Sequence, residues 1–249
     1  MLAERRHQLI LRALRSGGPA SVGDLSEQLA ASPATIRRDL VKLEEDGLLT
    51  RVHGGAVIEE GDQPFAEVAE VRTAEKDAIA AHAASLVEDG QTVLLDIGTT
   101  SYRAARQLHG RQLTVITSNL VVYEELADDS GIELVLLGGM VRREYRSLVG
   151  FLTEDNLRQL HADWLFLGTS GIRPDGQVMD TTVVEVPVKR AMIAASDRTV
   201  LLADASKFPG TGMAKVCGPD SLDVAVTNSS APTTTCAALT EAGVKVVRV

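Results

Sequence analysis

The sequence predicts an α/β protein in two parts: an N-terminal winged helix-turn-helix domain over residues 1–57 and a mostly parallel α/β domain over residues 74–249, joined by a linker over 58–73. Three observations predict it. Apolar residues recur at helical spacing in three short runs within the first 45 residues, and the third run opens with Ser32-Pro33-Ala34-Thr35. From Ala74 onward, strand-length runs that are apolar throughout alternate with helical ones, the pattern of parallel strands covered on both faces. Small and hydroxyl-bearing residues gather just after those strands.

The first helix is marked by Leu9, Ile10, Ala13 and Leu14, and Gly17-Gly18-Pro19 stops it. Ser21 with Asp24 reads as a capping box opening a second helix that buries Leu25 and Leu29. After the turn Ala30-Ala31-Ser32, Ser32 caps a third helix with Pro33 at its first position, where a missing N–H costs nothing. Ile36, Leu40 and Leu43 face inward, and Gly47 ends the helix. Thr35, Arg37 and Arg38 then project from the outward part of the third helix, the element that enters the major groove in this motif. Ser32 and Ala34 stand at its N-terminus. Two short runs over 48–57 around a turn make a wing, with Arg51 and His53 near the DNA backbone. A small helical bundle with solvated arginines is the alternative, but it does not account for the ordered caps, the Ser-Pro turn and the wing together. Residues 59–73 are acidic, contain Gly61 and Pro64, and show no sustained apolar period, which reads as a linker.

In the larger part, strands are expected over 92–97, 113–116, 134–137, 164–167, 200–203, 224–226 and 244–247, with helices near 75–87, 152–160, 186–195 and 234–242. Ligands of such sheets bind outside the carboxyl ends of the strands. There the sequence places Asp96 followed by Gly98, Thr99, Thr100 and Ser101. Thr117, Ser118 and Asn119 follow the next strand, then Gly138 and Gly139, then Ser170, then Asp204 and Lys207. Glu185 opens a helix. Free N–H groups and the helix dipole at Thr99–Ser101 favour an anion, and the glycine lets it approach; the other reading is that these hydroxyls only cap the helix. Five strand ends with hydrogen-bonding residues suit a polyhydroxylated anion, with Lys207 as the phosphate partner and the carboxylates holding hydroxyls.

The net charge of −9 hides an asymmetry: residues 1–57 carry a balance of +1, residues 58–249 one of −10. DNA contact needs a local positive face rather than a basic chain. Cys217 and Cys236 follow no metal-ligand or redox spacing, so neither a metal nor a cofactor is expected. There is no run of eighteen apolar residues, and the opening Met-Leu-Ala-Glu-Arg-Arg-His-Gln lacks the layout of a signal peptide, so a cytoplasmic protein without a membrane partner is expected.

Thr35-Ile36-Arg37-Arg38-Asp39-Leu40, then Leu43-Glu44-Glu45-Asp46-Gly47-Leu48-Leu49 and Arg51-Val52-His53-Gly54-Gly55-Ala56, resemble the signature of the DeoR family of bacterial regulators. The remainder resembles the sensor domain of that family, similar in fold to ribose-5-phosphate isomerase, through Asp96 with Gly98-Thr99-Thr100, Thr117-Ser118-Asn119, Gly138-Gly139, Gly168 with Ser170-Gly171, Glu185 with Lys189-Arg190, and Asp204 with Ser206-Lys207. The resemblance implies a double-stranded DNA operator as one partner and repression controlled by a phosphorylated sugar. Symmetric half-sites further imply a homodimer or higher homo-oligomer. Two other classes are weighed against this. A sugar-phosphate isomerase would use Asp96, Glu185, Asp204 and Lys207 as acids, bases and a cation, but has no need of the winged head. A DNA-architectural protein leaves the polar strand ends unexplained.

Overall fold

The computed structural model describes residues 3–17, 20–45, 49–52, 54–57 and 65–249, in two compact units, Met1–Gly61 and Asp62–Val249. The helix stop at Gly18-Pro19, the helix end at Gly47 and the wing residue His53 lie outside the described residues.

In the first unit, α1 (Ala3–Gly17) is followed by β1 (Ala20–Ser21), α2 (Val22–Leu29), α3 (Pro33–Glu45) and the hairpin strands β2 (Thr50–Val52) and β3 (Gly55–Val57). The Ser21 side chain accepts from the Asp24 N–H at 3.1 Å while the Asp24 carboxylate accepts from the Ser21 N–H at 3.1 Å, the reciprocal cap that starts α2. Ser32 caps α3 from one side only, accepting from the Thr35 N–H at 3.2 Å. Ile10, Leu14, Leu25, Leu29, Ile36, Leu40 and Leu43 close one small core. A strand too short to show a period in the sequence, β1, pairs with β3 on the side away from β2. Gly55 permits that pairing, because a Cβ there would lie 2.2 Å from the Ala20 carbonyl oxygen.

The second unit opens with α4 (Phe65–Ala69) and α5 (Thr73–Ala84), then runs β4 (Thr92–Leu95), α6 (Thr99–Gln107), β5 (Leu113–Thr117), α7 (Leu120–Leu126) and β6 (Ile132–Leu136). A hairpin of β7 (Met140–Arg142) and β8 (Ser147–Val149) precedes α8 (Phe151–Leu157) and β9 (Ala162–Gly168). After these come β10 (Gly171–Ile172), β11 (Val178–Asp180), α9 (Val186–Ala194), β12 (Ser196–Leu202), β13 (Ala214–Cys217), β14 (Val224–Thr227), α10 (Thr233–Glu241) and β15 (Lys245–Arg248). Seven of these strands form a parallel sheet in the order β15-β14-β12-β9-β4-β5-β6.

Period-two alternation divides the sheet between two cores. Leu94, Leu165 and Leu167 face a cluster with Leu157, Val188, Met192 and Leu239 from α8, α9 and α10. Val93, Leu95, Trp164 and Phe166 face one with Ile79, Ala83, Ala104, Leu108, Val122 and Leu126 from α5, α6 and α7. Both faces are therefore dry, and this is why the strands read as apolar throughout. Pro187 sits in the first turn of α9, where the absent N–H is harmless.

The segment expected to be a linker differs in its second half. Residues 65–69 form α4, which buries Phe65 and Ala69 at i and i+4 and sets the Phe65 ring edge-on to Tyr102 at 5.9 Å and to Tyr145 at 5.8 Å. A single turn is too short to display a helical period.

Candidate functional site

Strand β4 has β5 on one side and β9 on the other, so the strand order reverses between β4 and β9, and the crevice outside their carboxyl ends is the expected ligand position. The two chains approach closely there: a Cβ on Gly168 would stand 3.3 Å from the Asp96 carboxylate and 3.6 Å from Gly98 Cα. Gly98 has φ −70° and ψ 159°, and a Cβ there would meet nothing nearer than 3.8 Å. The fold itself makes no demand for glycine at 98. The bare position leaves room above the first turn of α6, whose N-terminus has no side-chain cap. Thr99, Thr100 and Ser101 form that turn and are buried; Ser101 Oγ reaches the Phe166 carbonyl at 3.4 Å.

Asp96 lies deepest. One carboxylate oxygen accepts from the Gly168 N–H at 2.9 Å and from the ammonium of Lys189, which also donates to the Gly168 carbonyl at 3.1 Å and lies 3.5 Å from Asp180. All three charged groups are buried. Burial lowers the Lys189 pKa, but Asp96 and Asp180 outweigh it and hold the ammonium above its ordinary value. Lys189 entered the sequence reading only through the family resemblance, and Asp180 did not enter it. The signal available was a lysine one turn after Glu185.

Glu185 is buried and ion-paired with Arg142 of the β7–β8 hairpin. The hairpin is fixed to the end of β5 by Leu148 N–H donating to the Ser118 carbonyl at 2.8 Å and Leu120 N–H to the Arg146 carbonyl at 2.9 Å. Its turn carries Tyr145, with the Arg142 guanidinium 5.8 Å from the ring centroid. Burial pushes the Tyr145 phenol up to about 12, with Lys189 opposing and Asp96 and Asp180 adding to the shift.

Asp204 caps the short turn Ala205–Lys207, accepting from Ser206 N–H at 2.9 Å and Ser206 Oγ at 2.5 Å, with Arg72 Nε at 3.8 Å. Lys207 is half-buried, and its ammonium has no hydrogen bond or ion pair among the described residues. Burial lowers its pKa against the pull of Asp204 and Asp180. Lys76, which the sequence reading missed, is buried in the first turn of α5. It donates to the Val68 carbonyl at 2.6 Å, and burial takes its pKa down to about 8, with Asp204 opposing and Lys207 reinforcing. Nothing in a lone lysine on a helix marks it from sequence.

Several expected ligand residues have work inside the fold. Thr117 Oγ1 donates to the Leu95 carbonyl at 2.9 Å and accepts from the Asn119 N–H at 3.0 Å. Asn119 caps α7 through Val121 and donates to the Ile97 carbonyl at 3.0 Å. Gly138 N–H is taken by Asn156 at 2.9 Å, and a Cβ on Gly139 would strike Thr153 Oγ1 at 2.2 Å, so both serve packing. Ser170 bonds Thr181 Oγ1 at 3.2 Å and Asp180 at 3.4 Å. Ser118 is the exception: its hydroxyl, like that of Ser147 beside it on β8, is buried without a partner. A cavity of about 540 Å³ lies elsewhere, between α8 and α9, and no expected site residue lines it.

In the first unit, Ile36, Asp39, Leu40 and Leu43 are the buried residues of α3. Ser32, Ala34, Arg37 and Arg38 are exposed and Thr35 half-exposed. Neither Arg37 nor Arg38 has a side-chain partner among the described residues. Arg51 is tied to Glu44, its guanidinium 3.4 Å from the carboxylate. Asp39 accepts from Arg6 at 2.5 and 3.0 Å and contacts His7 at 3.0 Å, binding α3 to α1. Burial opposes its ionisation, yet these bonds hold its pKa below the usual carboxylate value.

Two family models match the chain: the DeoR-like helix-turn-helix domain over residues 6–61 and the DeoR C terminal sensor domain over residues 71–229. The glycerol-3-phosphate regulon repressor of Escherichia coli (strain K12) is 33% identical over 244 residues, covering 97% of each chain. The transcriptional repressor AccR of Agrobacterium fabrum is 38% identical over 233 residues, covering 92% of this chain and 90% of its own length. Among solved structures, ribose 5-phosphate isomerase A of Methanocaldococcus jannaschii is 18% identical with a TM-score of 0.39, over 53% of this chain and 52% of that one.

Proposed function

The chain belongs to the DeoR family of transcriptional regulators, and from that premise we propose that it represses carbohydrate genes and that a phosphorylated sugar, held at the carboxyl ends of β4, β9 and β12, controls its hold on the operator. The observation that carries the reading is the unpaired, half-buried ammonium of Lys207 in a unit of balance −8. A cation partly withdrawn from water without an anion is costly, and a phosphate supplies the anion. The uncapped N-terminus of α6 offers the remaining donors, and the bare Gly98 offers the approach. The free oxygen of Asp204 and the unpartnered Ser118 hydroxyl suit the sugar hydroxyls.

Sensing rather than turnover is supported by how the carboxylates are engaged. Asp96 is neutralised by Lys189, Glu185 by Arg142, and Asp204 caps a turn. A general base must be free to take a proton, and Asp96 and Glu185 are each held by a buried cation. In the first unit, Ser32, Ala34, Thr35, Arg37 and Arg38 meet the major groove, while Arg51 and His53 of the wing reach the phosphates. Two copies of the chain read a symmetric operator.

The test is a mobility-shift titration of the full chain on DNA from its own upstream region, with and without glycerol 3-phosphate, ribose 5-phosphate, glucose 6-phosphate and fructose 6-phosphate. One of them is expected to change operator affinity by about 5–150-fold. Interconversion of aldose and ketose phosphates by the protein, with no effect on DNA, would overturn the reading.

A further inference from the structure

Helix α4 is the first described element of the second unit, and hydrogen bonds tie it to the β7–β8 turn, to α5 and to α6. Phe65 N–H donates to the Glu144 carbonyl of the β7–β8 turn at 3.0 Å. The Phe65 ring sits edge-on to Tyr145 of that same turn and to Tyr102, one turn into the helix whose N-terminus faces the crevice. The Val68 carbonyl accepts from Lys76, and the Ala69 carbonyl accepts from Arg103 at 2.8 Å. At the other end the hairpin reaches the site through the Arg142–Glu185 ion pair, the Ser118 carbonyl and the Arg142 contact with the Tyr145 ring.

We propose that the β7–β8 hairpin transmits occupancy of the strand-end site to the start of the second unit, with Tyr145 against Phe65 as the joint. Tyr145 is suited to this because one ring has two neighbourhoods. On the site side it has Arg142, whose guanidinium lies 5.8 Å from the ring centroid and is ion-paired with Glu185, so a shift of that pair reaches the ring. Its face holds Phe65, a buried aromatic whose position sets where the chain enters α4. Packed aromatics have discrete arrangements rather than a soft continuum, so a shift of the turn is passed on. Tyr145 is thus a positioning residue, and the proposal rests on the reading of the site given above.

Phe65→Leu tests it in the full chain, since it removes the ring contact while keeping a buried apolar side chain away from the ligand. Effector affinity by calorimetry and effector-free operator affinity are expected to stay within about threefold of wild type. The effect of the effector on operator affinity is expected to fall from the ordinary range of about 5–150-fold to below about threefold. Full coupling in Phe65→Leu would overturn the proposal. Tyr145→Phe, which keeps the ring against Phe65, is expected to retain the coupling even where effector binding weakens; loss of coupling at saturating effector would count against the ring as the joint. A second measurement judges the link without any ligand. Glu185→Gln releases Arg142 at the site end, and hydrogen exchange at residues 65–69 is expected to rise at least about threefold, with no further rise when Tyr145→Ala is added. Unchanged exchange at 65–69 sinks the link itself, whereas a wild type that binds no sugar phosphate sinks only the reading of the site.

Discussion

Replacing Lys189 with methionine is expected to destabilise the second unit by about 3 kcal/mol at pH 7. The magnitude follows from what is left behind. Lys189, Asp96 and Asp180 are each at least 96% buried, and Lys189 lies within 4 Å of both carboxylates. Removing one partner from a buried pair costs about 3–5 kcal/mol, because the remaining charge keeps its desolvation penalty without compensation. Asp96 retains the Gly168 N–H at 2.9 Å and Asp180 the Thr182 N–H at 2.9 Å, which places the loss at the lower end. At ~2–4 °C per kcal/mol for a domain of this size, the midpoint falls by ~6–12 °C. The sign of the pH dependence separates this mechanism from lost packing. In the wild type, the raised Lys189 pKa means its contribution is complete below the unfolded value of ~10.4 and disappears only as pH rises through the folded one. In the variant, protonation of a stranded carboxylate relieves the penalty, so the deficit shrinks toward pH 5. Urea unfolding followed by Trp164 fluorescence is the assay, since Trp164 is the single tryptophan and is buried in β9 of the second unit. A loss below about 1 kcal/mol, or a deficit that widens on acidification, would refute the reasoning; adding Asp96→Asn and Asp180→Asn should recover most of it.

Three further outcomes are expected. Arg37→Ala with Arg38→Ala leaves the head folded but abolishes operator binding, since each specific arginine–base contact contributes ~1–3 kcal/mol; operator affinity at the wild-type level in a gel shift would exclude α3 as the reading helix. Thr100→Asp sets a negative charge at the N-terminus of α6 and weakens the effector at least about tenfold by calorimetry while operator binding persists; undiminished effector binding would move the phosphate away from α6. Lys76, with a pKa pushed down to about 8 by burial, regains its proton when an anion binds nearby, so effector affinity is highest below pH 8 and falls as pH rises through it; Lys76→Met should flatten that profile between pH 7 and 9, and an unchanged profile would assign the titration to another group.

The parts of this molecule that were legible in the sequence are those where a residue acts through its nearest neighbours along the chain. Ser21 with Asp24, Ser32 with Thr35 and the Ile36–Leu40–Leu43 stripe are local devices, and each stands where spacing put it. The wholly apolar strands announced a sheet with both faces covered, and the structure has it. What could not be read were pairings across long separations between elements too short to carry a period. The three residues of β7 and three of β8 bring Arg142 to Glu185, and the single turn of α4 brings Val68 to Lys76. Position at a strand end was legible; whether a group there was already engaged was not. Thr117 and Asn119 sit at the end of β5 as expected, yet their hydrogen bonds go to Leu95, Ile97 and Val121.

Engagement is also what sorts the cations, and it reconciles an acidic chain with two anionic partners. A lysine or arginine already paired gives little new energy to an incoming phosphate, because it must first lose the partner it has. Lys189 with Asp96 and Arg142 with Glu185 are of this kind. Arg37, Arg38 and Lys207 have no partner among the described residues, and they are the groups that the proposed function assigns to DNA and to the effector phosphate. The balance of −8 in the second unit then works for selectivity: it repels polyanions from that surface, and a free ammonium or an open helix terminus offsets it only locally. A small phosphate ester fits into such a place, and a DNA backbone carrying a charge every few ångströms does not.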